Sequence, residues 1–441
     1  MPKLALGAVF LLGACTGGSE PARENLVNPS GVAPQRQGLS AILRGGVNFA
    51  AVSADESRAA EIGRDIIMAG GNATDAAVAM YFALAVTLPS AAGLGASGSC
   101  IVHDSKTRAG EAFVFAPVAA PGPIKGVSFA VPTGVRAITL MHIRHASARW
   151  ELLVAPAERL ARLGVPVSRA LSRDLQVGAT MLGADSEARR IFGRSGGVAV
   201  TEGDNWAPAD LAGTLGVIRQ RGGADFFSGT YARVLADQVS QMGGSLPLDT
   251  LRNAVPQTSL PLSQDYRGFK VYVAPAPMAG ANALAGWNGQ PEPAAGTPTD
   301  SGGIASFAVV DTKGGAVACS LSMGQLFGTR MIVPGTGILL GAITPNSTAV
   351  SPLVIGNPGN GEFRFVGAGG GSPDAAYATG AIARATMLDG QGVTAALTAR
   401  RGRGGHVNAI ACPDGIKSGG STCGSGIDPA GTGLALLATP P

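Results

Sequence analysis

Hydrophobic positions between residues 53 and 89 predict two successive helices. Ser53 and Glu56 have the spacing of a capping box, which marks the start of a helix. Apolar residues then recur at helical spacing, at Ile62, Ile66 and Ile67. The Gly70-Gly71 pair stops this first helix, because glycine readily takes the left-handed conformation that ends helices.

The second helix is predicted directly after the first. Asn72 is a favoured N-cap residue, and the alanine-rich run from Ala76 to Ala85 offers small side chains on which another element can pack closely. Pro89 ends the helical pattern. A glycine-rich bend from Gly93 to Gly98 then leads into a short predicted strand, Cys100 to His103.

The middle and last thirds of the chain differ in pattern. Trp150 to Leu163 and Pro208 to Gln220 have helical periodicity, and no internal repeat appears. Further on, the apolar runs Ser306 to Asp311 and Ala316 to Ser322 flank a short polar segment, Thr312 to Gly315. This spacing predicts a β-hairpin.

A glycine run follows the next predicted strand, Phe363 to Val366. It reads Gly367-Ala368-Gly369-Gly370-Gly371-Ser372, and an alanine-rich helix is predicted after it. Backbone N–H groups at the N-terminus of a helix favour a negative charge. A nucleotide phosphate loop, an oxyanion hole and a plain tight turn all fit this pattern.

The first fifteen residues have the pattern of an export signal. Lys3 precedes an apolar stretch from Leu4 to Ala14, which is too short to cross a bilayer as a helix. The ending Leu12-Gly13-Ala14-Cys15 resembles the lipobox of bacterial lipoproteins, whose cysteine becomes the acylated first residue. We therefore predict a signal peptide over 1–14, a lipid anchor at Cys15, and a cell-envelope lipoprotein facing the periplasm or the cell exterior. An ordinary cleaved signal with an incidental cysteine is the alternative.

Composition narrows the remaining possibilities. Residues 15–48 are rich in glycine, proline and polar residues without periodicity, which is typical of a flexible tether. Over the whole chain, 46% hydrophobic and 14% charged residues favour a packed globular body. The net charge of +4 is weak, and no basic run is interleaved with aromatic residues, so nucleic acid is not a predicted partner.

Cysteine and histidine positions indicate no metal site and no cofactor. Cys412 and Cys423 flank a loop rich in glycine and serine, which a disulfide would close in an oxidising compartment. Cys100 and Cys319 lie in apolar, strand-like surroundings, where buried free thiols are expected. His142 and His145 could share a helix face, but no third ligand is near, so a solvated helix face is the preferred interpretation.

Longer motifs identify a family. They are, in chain order, GGNATDAAVA (70–79), WELLVAPAERLARLGVPVS (150–168), PADLAGTLGVIRQRGGADFFSGTYA (208–232), DYRGFKVYVAPAP (265–277), FAVVDTKGGAV (307–317), GHVNAI (405–410) and DPAGTGLA (428–435). Their content and order resemble the γ-glutamyltranspeptidase family of N-terminal-nucleophile hydrolases. The chain is shorter than typical members of that family.

The resemblance implies a fold and a chemistry. The fold is a four-layer αββα sandwich of the α+β class, here over residues 49–441, with 49–303 like the large subunit and 304–441 like the small one. Family members cut their own precursor before a threonine, and that threonine then attacks the γ-glutamyl carbonyl with its own amine as general base.

The nucleophile position falls at Ile304. It is reached by counting back from Val309-Val310-Asp311 without a gap. Isoleucine has no lone pair with which to attack a peptide bond or a substrate. We therefore expect the chain to remain uncleaved, and acyl transfer not to proceed through this residue.

Positions that hold the substrate in the family are replaced as well. Ala116 stands where the family has the arginine that binds the substrate carboxylate, and Gly324 stands where it has the asparagine after the hairpin. Asn346 occupies the position of the acidic residue that binds the substrate amine. Val354 and Ile355 occupy the positions of a Ser-Ser pair. Only Gly370-Gly371, which correspond to the family's oxyanion hole, remain. We expect Ile304, Ile343, Val354 and Ile355 to line an apolar cleft, either collapsed or selective for an apolar ligand.

Two functions remain open. One is a non-catalytic, membrane-tethered member of the family that acts by binding or scaffolding. The other is a hydrolase-class enzyme with an altered nucleophile and substrate, for which Ser306 and Ser301 are the candidate nucleophiles because they lie close to Ile304. The sequence identifies neither a ligand nor a protein partner.

Overall fold

The computed structural model describes residues 49–194, 198–292, 303–401, 403, 405–418, 420–429 and 431–438. All of them lie in one of the two units into which the chain divides, Leu43–Pro441. The predicted signal peptide, the tether, the lipidation site Cys15 and the candidate nucleophile Ser301 lie outside the described residues. None of the helices in the described ranges is long and apolar enough to cross a membrane.

The strands form two large antiparallel sheets and two short ribbons. They are β1 (Ala51–Ala54), β2 (Ser97–Asp104), β3 (Ala109–Phe115), β4 (Val165–Pro166), β5 (Asn205–Trp206), β6 (Gln257–Ser259), β7 (Leu262–Tyr266), β8 (Phe269–Val273), β9 (Ile304–Val310), β10 (Ala316–Ser322), β11 (Ile332–Val333), β12 (Ile338–Leu339), β13 (Leu353–Gly356), β14 (Phe363–Gly370), β15 (His406–Ala411), β16 (Gly424–Ile427) and β17 (Leu434–Leu437). The first sheet has the order β17-β1-β9-β10-β2-β3-β6, and the second has the order β16-β15-β14-β13-β8-β7. The ribbons pair β4 with β5 and β11 with β12.

Helices cover the outer faces of both sheets. They are α1 (Ser57–Met68), α2 (Ala73–Thr87), α3 (Pro89–Ala92), α4 (Gly134–His145), α5 (Trp150–Leu163), α6 (Arg169–Leu182), α7 (Ser186–Phe192), α8 (Ala209–Arg221), α9 (Asp225–Ser228), α10 (Thr230–Gln241), α11 (Leu248–Asn253), α12 (Gly280–Trp287), α13 (Ala375–Met387) and α14 (Val393–Ala399). Single turns of 3₁₀-helix occupy Pro345–Ser347 and Ile416–Ser418.

Side-chain alternation along the strands produces four layers. In β9, Ala308 and Val310 face the second sheet and pack with Val366 of β14 and Ile410 of β15. Their neighbours Phe307 and Val309 face the other way, into the core that the first sheet shares with α1, α2 and α5. The outer face of the second sheet packs against α12, α13 and α14. This is the αββα sandwich that the sequence resemblance implies, and that prediction is confirmed.

The predicted hairpin is present as β9 and β10. Its turn is fixed by Asp311, whose Oδ1 accepts hydrogen bonds from the N–H groups of Lys313 (2.9 Å) and Gly315 (3.0 Å). The other carboxylate oxygen accepts the N–H of Ala73 (3.0 Å), the first residue of α2. The hairpin is thereby tied to the start of the longest buried helix, and its register places Ile304 opposite Ser322.

The predicted start of the first helix is wrong. Ser53 lies inside strand β1, where its hydroxyl donates to Asn408 Oδ1 (3.0 Å). Helix α1 begins later, and Glu56 is its N-cap, with Oε2 accepting the N–H of Ala59 (2.9 Å). Strand pairing of β1 between β9 and β17 outweighed the local capping signal. The second helix begins as predicted, with a reciprocal capping box between Asn72 and Asp75.

The glycine run also differs from its predicted role. Gly367 to Gly370 belong to strand β14 and pair with β15, while helix α13 begins only at Ala375. The run is therefore not placed at a helix N-terminus. A side chain at Gly369 would lie 2.5 Å from the carbonyl oxygen of Ala375, so close packing of this strand end against the helix explains a glycine there.

Both cysteine pairs are disulfides. Cys412 and Cys423 are bonded, which confirms the predicted loop closure. Cys100 and Cys319 are bonded as well, so the expectation of free thiols is wrong. The two residues lie directly opposite each other on β2 and β10, a contact that their separation by 219 residues concealed in the sequence.

Candidate functional site

Ile304 begins strand β9 and is buried, with 3% of its surface exposed. It belongs to a small apolar cluster with Val114, Met278 and Val350, against which Ala116 also packs. Two positions that the resemblance assigns to the reaction, Ile304 and Ala116, therefore lie together, and both carry hydrocarbon side chains.

The two retained glycines lie beside Ile304, as expected. Gly371 donates its N–H to the carbonyl oxygen of Ile304 (3.0 Å). A side chain at Gly370 would lie 3.0 Å from the same oxygen and 2.7 Å from Asp55 Oδ2, so only glycine fits. Because the N–H of Gly371 is already engaged, it is not free to stabilise an oxyanion in this conformation.

A buried polar network surrounds Asp55, which lies between β1 and α1. Its Oδ2 accepts the backbone N–H of Ser306 (2.7 Å) and the hydroxyl of Ser306 (3.2 Å). Its Oδ1 accepts the side-chain amide of Asn408 (2.6 Å) and lies 2.8 Å from His406 Nε2. One carboxylate therefore joins β1, β9 and β15.

The hydroxyl of Ser306 is not available to act as a nucleophile in this arrangement. It is fully buried, in the middle of β9. Its hydroxyl contacts both Asp55 Oδ2 and the side-chain amide of Asn408 (2.9 Å). No histidine contacts it among the described residues, because Asp55 stands between Ser306 and His406.

A small cavity of about 20 Å³ lies on the other side of Ile304. Its charged lining residues are Asp55, Arg173, Asp174 and His406. A polar cavity of this volume holds about one water molecule. The cavity is small, and the prediction of a purely apolar lining is wrong, because these four charged residues reach it.

Burial and charge shift the pKa values of this cluster. Burial alone would lower the pKa of His406, but the charge and hydrogen bond of Asp55 raise it above its ordinary value. Burial raises the pKa of Asp174, although the hydrogen bond from Ser90 (2.6 Å) and the nearby cations Arg173 and His406 act in the opposite direction.

Three of the predicted apolar lining residues lie elsewhere. Val354 and Ile355 are neighbours within β13, so their side chains point to opposite faces of the second sheet. Val354 packs between the two sheets, and Ile355 packs against the helices outside. Ile343 is 38% exposed. The pairing of β13 with its neighbouring strands places Val354 and Ile355 in these two cores. The spacing of the motifs did not reveal this pairing.

Gly324 and Asn346 lie near the site, around Ser322 opposite Ile304. The Ser322 hydroxyl accepts the N–H of Gly324 (3.0 Å) and donates to the carbonyl oxygen of Asn346 (3.1 Å). These are backbone contacts that build the loop. Gly324 also has a φ of 82°, and a side chain there would lie 2.3 Å from the carbonyl oxygen of Ala342.

The histidines of α4 do not form a solvated helix face. His145 lies between two carboxylates, with Nε2 2.7 Å from Glu111 and Nδ1 3.3 Å from Asp104. His142 instead contacts the carbonyl oxygen of Ala148 (2.9 Å). The described residues contain no group of three or more side chains suited to a metal ion. This cluster ties helix α4 to the β2–β3 hairpin.

The sequence analysis missed the charged residues of the site. Asp55 and His406 were not singled out as a pair, because Asp55 follows β1 of the first sheet and His406 begins β15 of the second, and the two residues meet only when the sheets stack. One signal was available: in the GHVNAI motif, His406 and Asn408 alternate with apolar residues, so both face the same side of a strand.

Comparisons with known proteins agree with the motifs. A family model described as gamma-glutamyltranspeptidase matches residues 59–289. The chain is 32% identical over 247 residues to the glutathione hydrolase proenzyme of Escherichia coli K12, covering 52% of this chain and 42% of the relative. It is 31% identical over 246 residues to the corresponding proenzyme of Bacillus subtilis 168, covering 50% and 41%. The chain thus spans about two fifths of the length of these relatives.

The fold has solved counterparts. The structure of a cephalosporin acylase from Bacillus halodurans matches with a TM-score of 0.72 over 92% of this chain and 99% of that one, at 20% identity. At that identity the likeness concerns the fold alone. Because the family model matches more than half of the sequence, the chain belongs to the gamma-glutamyltranspeptidase family.

Proposed function

We propose that this protein is a non-catalytic member of the family, an exported lipoprotein that acts by binding or scaffolding in the cell envelope. The observation that carries the proposal is Ile304 at the start of β9, buried beside the Gly370-Gly371 backbone. The family chemistry needs a hydroxyl or thiol at that place. A sec-butyl side chain supplies neither a nucleophile nor a proton acceptor.

The shape of the site supports the same proposal. Small-molecule sites usually enclose about 300–1,000 Å³. The cavity beside Ile304 measures about 20 Å³, which leaves no room for a γ-glutamyl group. Ala116 offers no guanidinium to a substrate carboxylate, and a buried carboxylate without such a partner would be costly.

The second candidate function is an enzyme with a different nucleophile. The charged cluster of Asp55, Arg173, Asp174 and His406 is the observation in its favour, because active sites gather titratable groups with shifted pKa values. Against it, each serine or threonine nucleophile needs a base within hydrogen-bonding reach. The described hydroxyl nearest to Ile304 in sequence, Ser306, does contact the carboxylate of Asp55, but it is fully buried within β9, where a substrate has no access to it.

An activity assay with one repaired variant separates the two functions. We expect the wild-type protein to release no product from γ-glutamyl-p-nitroanilide or glutathione, with the Escherichia coli relative as the positive control. Ile304→Thr should also remain inactive, because Ala116 cannot bind the substrate carboxylate and the cavity of about 20 Å³ is too small for the substrate. Robust turnover by the wild type would support the enzyme. Robust turnover by Ile304→Thr alone would refute our account of the pocket.

A further inference from the structure

Several hairpin turns meet at the end of the sandwich opposite Ile304. In the first sheet, the β9–β10 turn (311–315) lies beside the β2–β3 turn (105–108), because Ala316 pairs with His103. The β13–β14 loop (357–362) of the second sheet reaches the same place, where the carbonyl oxygen of Gly314 accepts the N–H of Phe363 (3.1 Å). We call these three segments, together with residues 413–418 after β15, the turn end.

The chain enters the described fold at the turn end. Phe49 is the first described residue, and Ala51 of β1 pairs with Val310, the last residue of β9. Phe49 is 2% exposed and belongs to the same apolar cluster as Phe363, which follows the β13–β14 loop. The polypeptide that precedes residue 49, with the predicted lipid site Cys15, is therefore joined to the body at this end.

Exposed cations gather on these turns. Lys106 and Arg108 lie on the β2–β3 turn, and Lys313 lies on the β9–β10 turn. Within the described ranges, these three side chains form no ion pair. Lys417 is 68% exposed, and its ammonium group lies 3.6 Å from the carboxylate of Glu362. Much of this positive charge is therefore available to a partner outside the fold.

Most carboxylates at this end are engaged within the fold. Asp311 is buried and accepts three backbone N–H groups. Glu362 is 1% exposed and pairs with two cations. Asp104 accepts two backbone N–H groups and lies 3.3 Å from His145 Nδ1. Asp414 is the exposed carboxylate among residues 413–418. The exposed charges of the turn end are therefore mainly positive.

A pocket of about 310 Å³ lies between these turns and the start of α2. Lys106, Lys313, Ser105 and Thr312 are among its lining residues, so ammonium and hydroxyl donors are present. The N–H of Ala73, the first residue of α2, is already bound by the carboxylate of the hairpin turn (3.0 Å). The volume is at the lower limit for a small-molecule site, which suits one polar headgroup.

We propose that the turn end is a docking surface for the anionic headgroups of the membrane that holds the lipid anchor. The inference rests on the proposed anchor at Cys15, which keeps this end of the body near the bilayer. Clustered lysine and arginine side chains are attracted to an anionic lipid surface within about a Debye length, roughly 8–10 Å. The other end, with Ile304, then faces away from the membrane.

Lysine acetylation of the full-length lipoprotein, read by mass spectrometry, tests this orientation. The protein is reconstituted in vesicles of phosphatidylcholine alone or with about one third phosphatidylglycerol. Lys106 and Lys313 should be acetylated about threefold to tenfold more slowly on the anionic vesicles, and about 1 M salt should remove the difference. Lys125 is exposed in a turn outside the turn end and should keep its rate. Equal rates of Lys106 and Lys313 on both vesicles would overturn the proposal.

A double variant tests whether the cations cause the orientation. Lys106→Gln/Lys313→Gln should abolish the slower acetylation of Lys417 on anionic vesicles, whereas the control Lys125→Gln should retain it. Slower acetylation of Lys417 that persists unchanged in the double variant would contradict the role of the two lysines.

Failure of the anchor is seen separately. A protein that lacks the lipid by intact mass and stays in solution would refute the anchor and the docking surface together. An anchored protein with equal lysine rates on both vesicles would refute the docking surface alone.

Discussion

Asp55 is the residue on which the candidate site is built. It accepts hydrogen bonds from the backbone and side chain of Ser306 and from Asn408, and it pairs with His406. Each of these donors is buried or mostly buried. Removing the carboxylate would leave several of them unsatisfied, which is among the costliest changes that a core can undergo.

We therefore expect Asp55→Ala to lower the free energy of unfolding by roughly 3–5 kcal/mol. The measurement is urea unfolding at constant m-value. Asp65→Ala is the matched control, because the Asp65 side chain is 63% exposed on α1 and, among the described residues, forms its ion pair with Arg64 on the surface. It should change stability by less than about 0.5 kcal/mol. Equal effects of the two substitutions would show that Asp55 does not hold the three strands together.

At the residue scale, the sequence predicted the apolar and glycine positions of the site better than its charged residues. Ile304, Ala116 and the two glycines were located by motif spacing, and they lie together. The cluster of Asp55, Asp174 and His406 was missed, since its members come from the β1–α1 junction, from α6 and from β15, which lie far apart in the chain. Their contacts depend on how the two sheets and α6 pack together, which no local pattern encodes.

Among the elements, those with local signals were predicted best. The β9–β10 hairpin and α2 each have their start, turn or cap within a few residues, so short-range chemistry was sufficient. The glycine run at 367–370 was misplaced because its partner strand, β15, lies far along the chain. Strand pairing also overrode the capping pattern at Ser53.

The two disulfides make different contributions to these elements. Cys100–Cys319 joins residues 219 positions apart, whereas Cys412–Cys423 joins residues 11 positions apart. Loop-closure entropy of the unfolded chain then gives stabilisations of about 5 and about 3 kcal/mol, respectively.

The double variant Cys100→Ala/Cys319→Ala should therefore unfold at a lower denaturant concentration than Cys412→Ala/Cys423→Ala. Equilibrium unfolding of both variants beside the wild type is the measurement. A larger loss for the Cys412 pair would mean that the short loop, and not the link between β2 and β10, is the more important constraint.

For the whole molecule, the N-terminal sequence predicts the cellular location of the folded domain. A lipid at Cys15 would leave the domain tethered to the membrane by residues 16–48. The wild-type protein should fractionate with membranes of a bacterial host. Cys15→Ser should be released or keep an unprocessed signal, because the thioether to the lipid needs sulfur. Thr16→Ser is the control and should remain with the membrane. A wild-type protein recovered in the soluble fraction, cleaved elsewhere, would contradict the assignment.

We propose that Ile304 stands where the family has its nucleophile and that the chain remains in one piece. Intact-mass analysis of the protein purified from its native membrane tests this most directly, because self-cleavage would divide the chain between Gly303 and Ile304. We expect a single polypeptide that contains both residues. Two fragments, one of them beginning at Ile304, would contradict it.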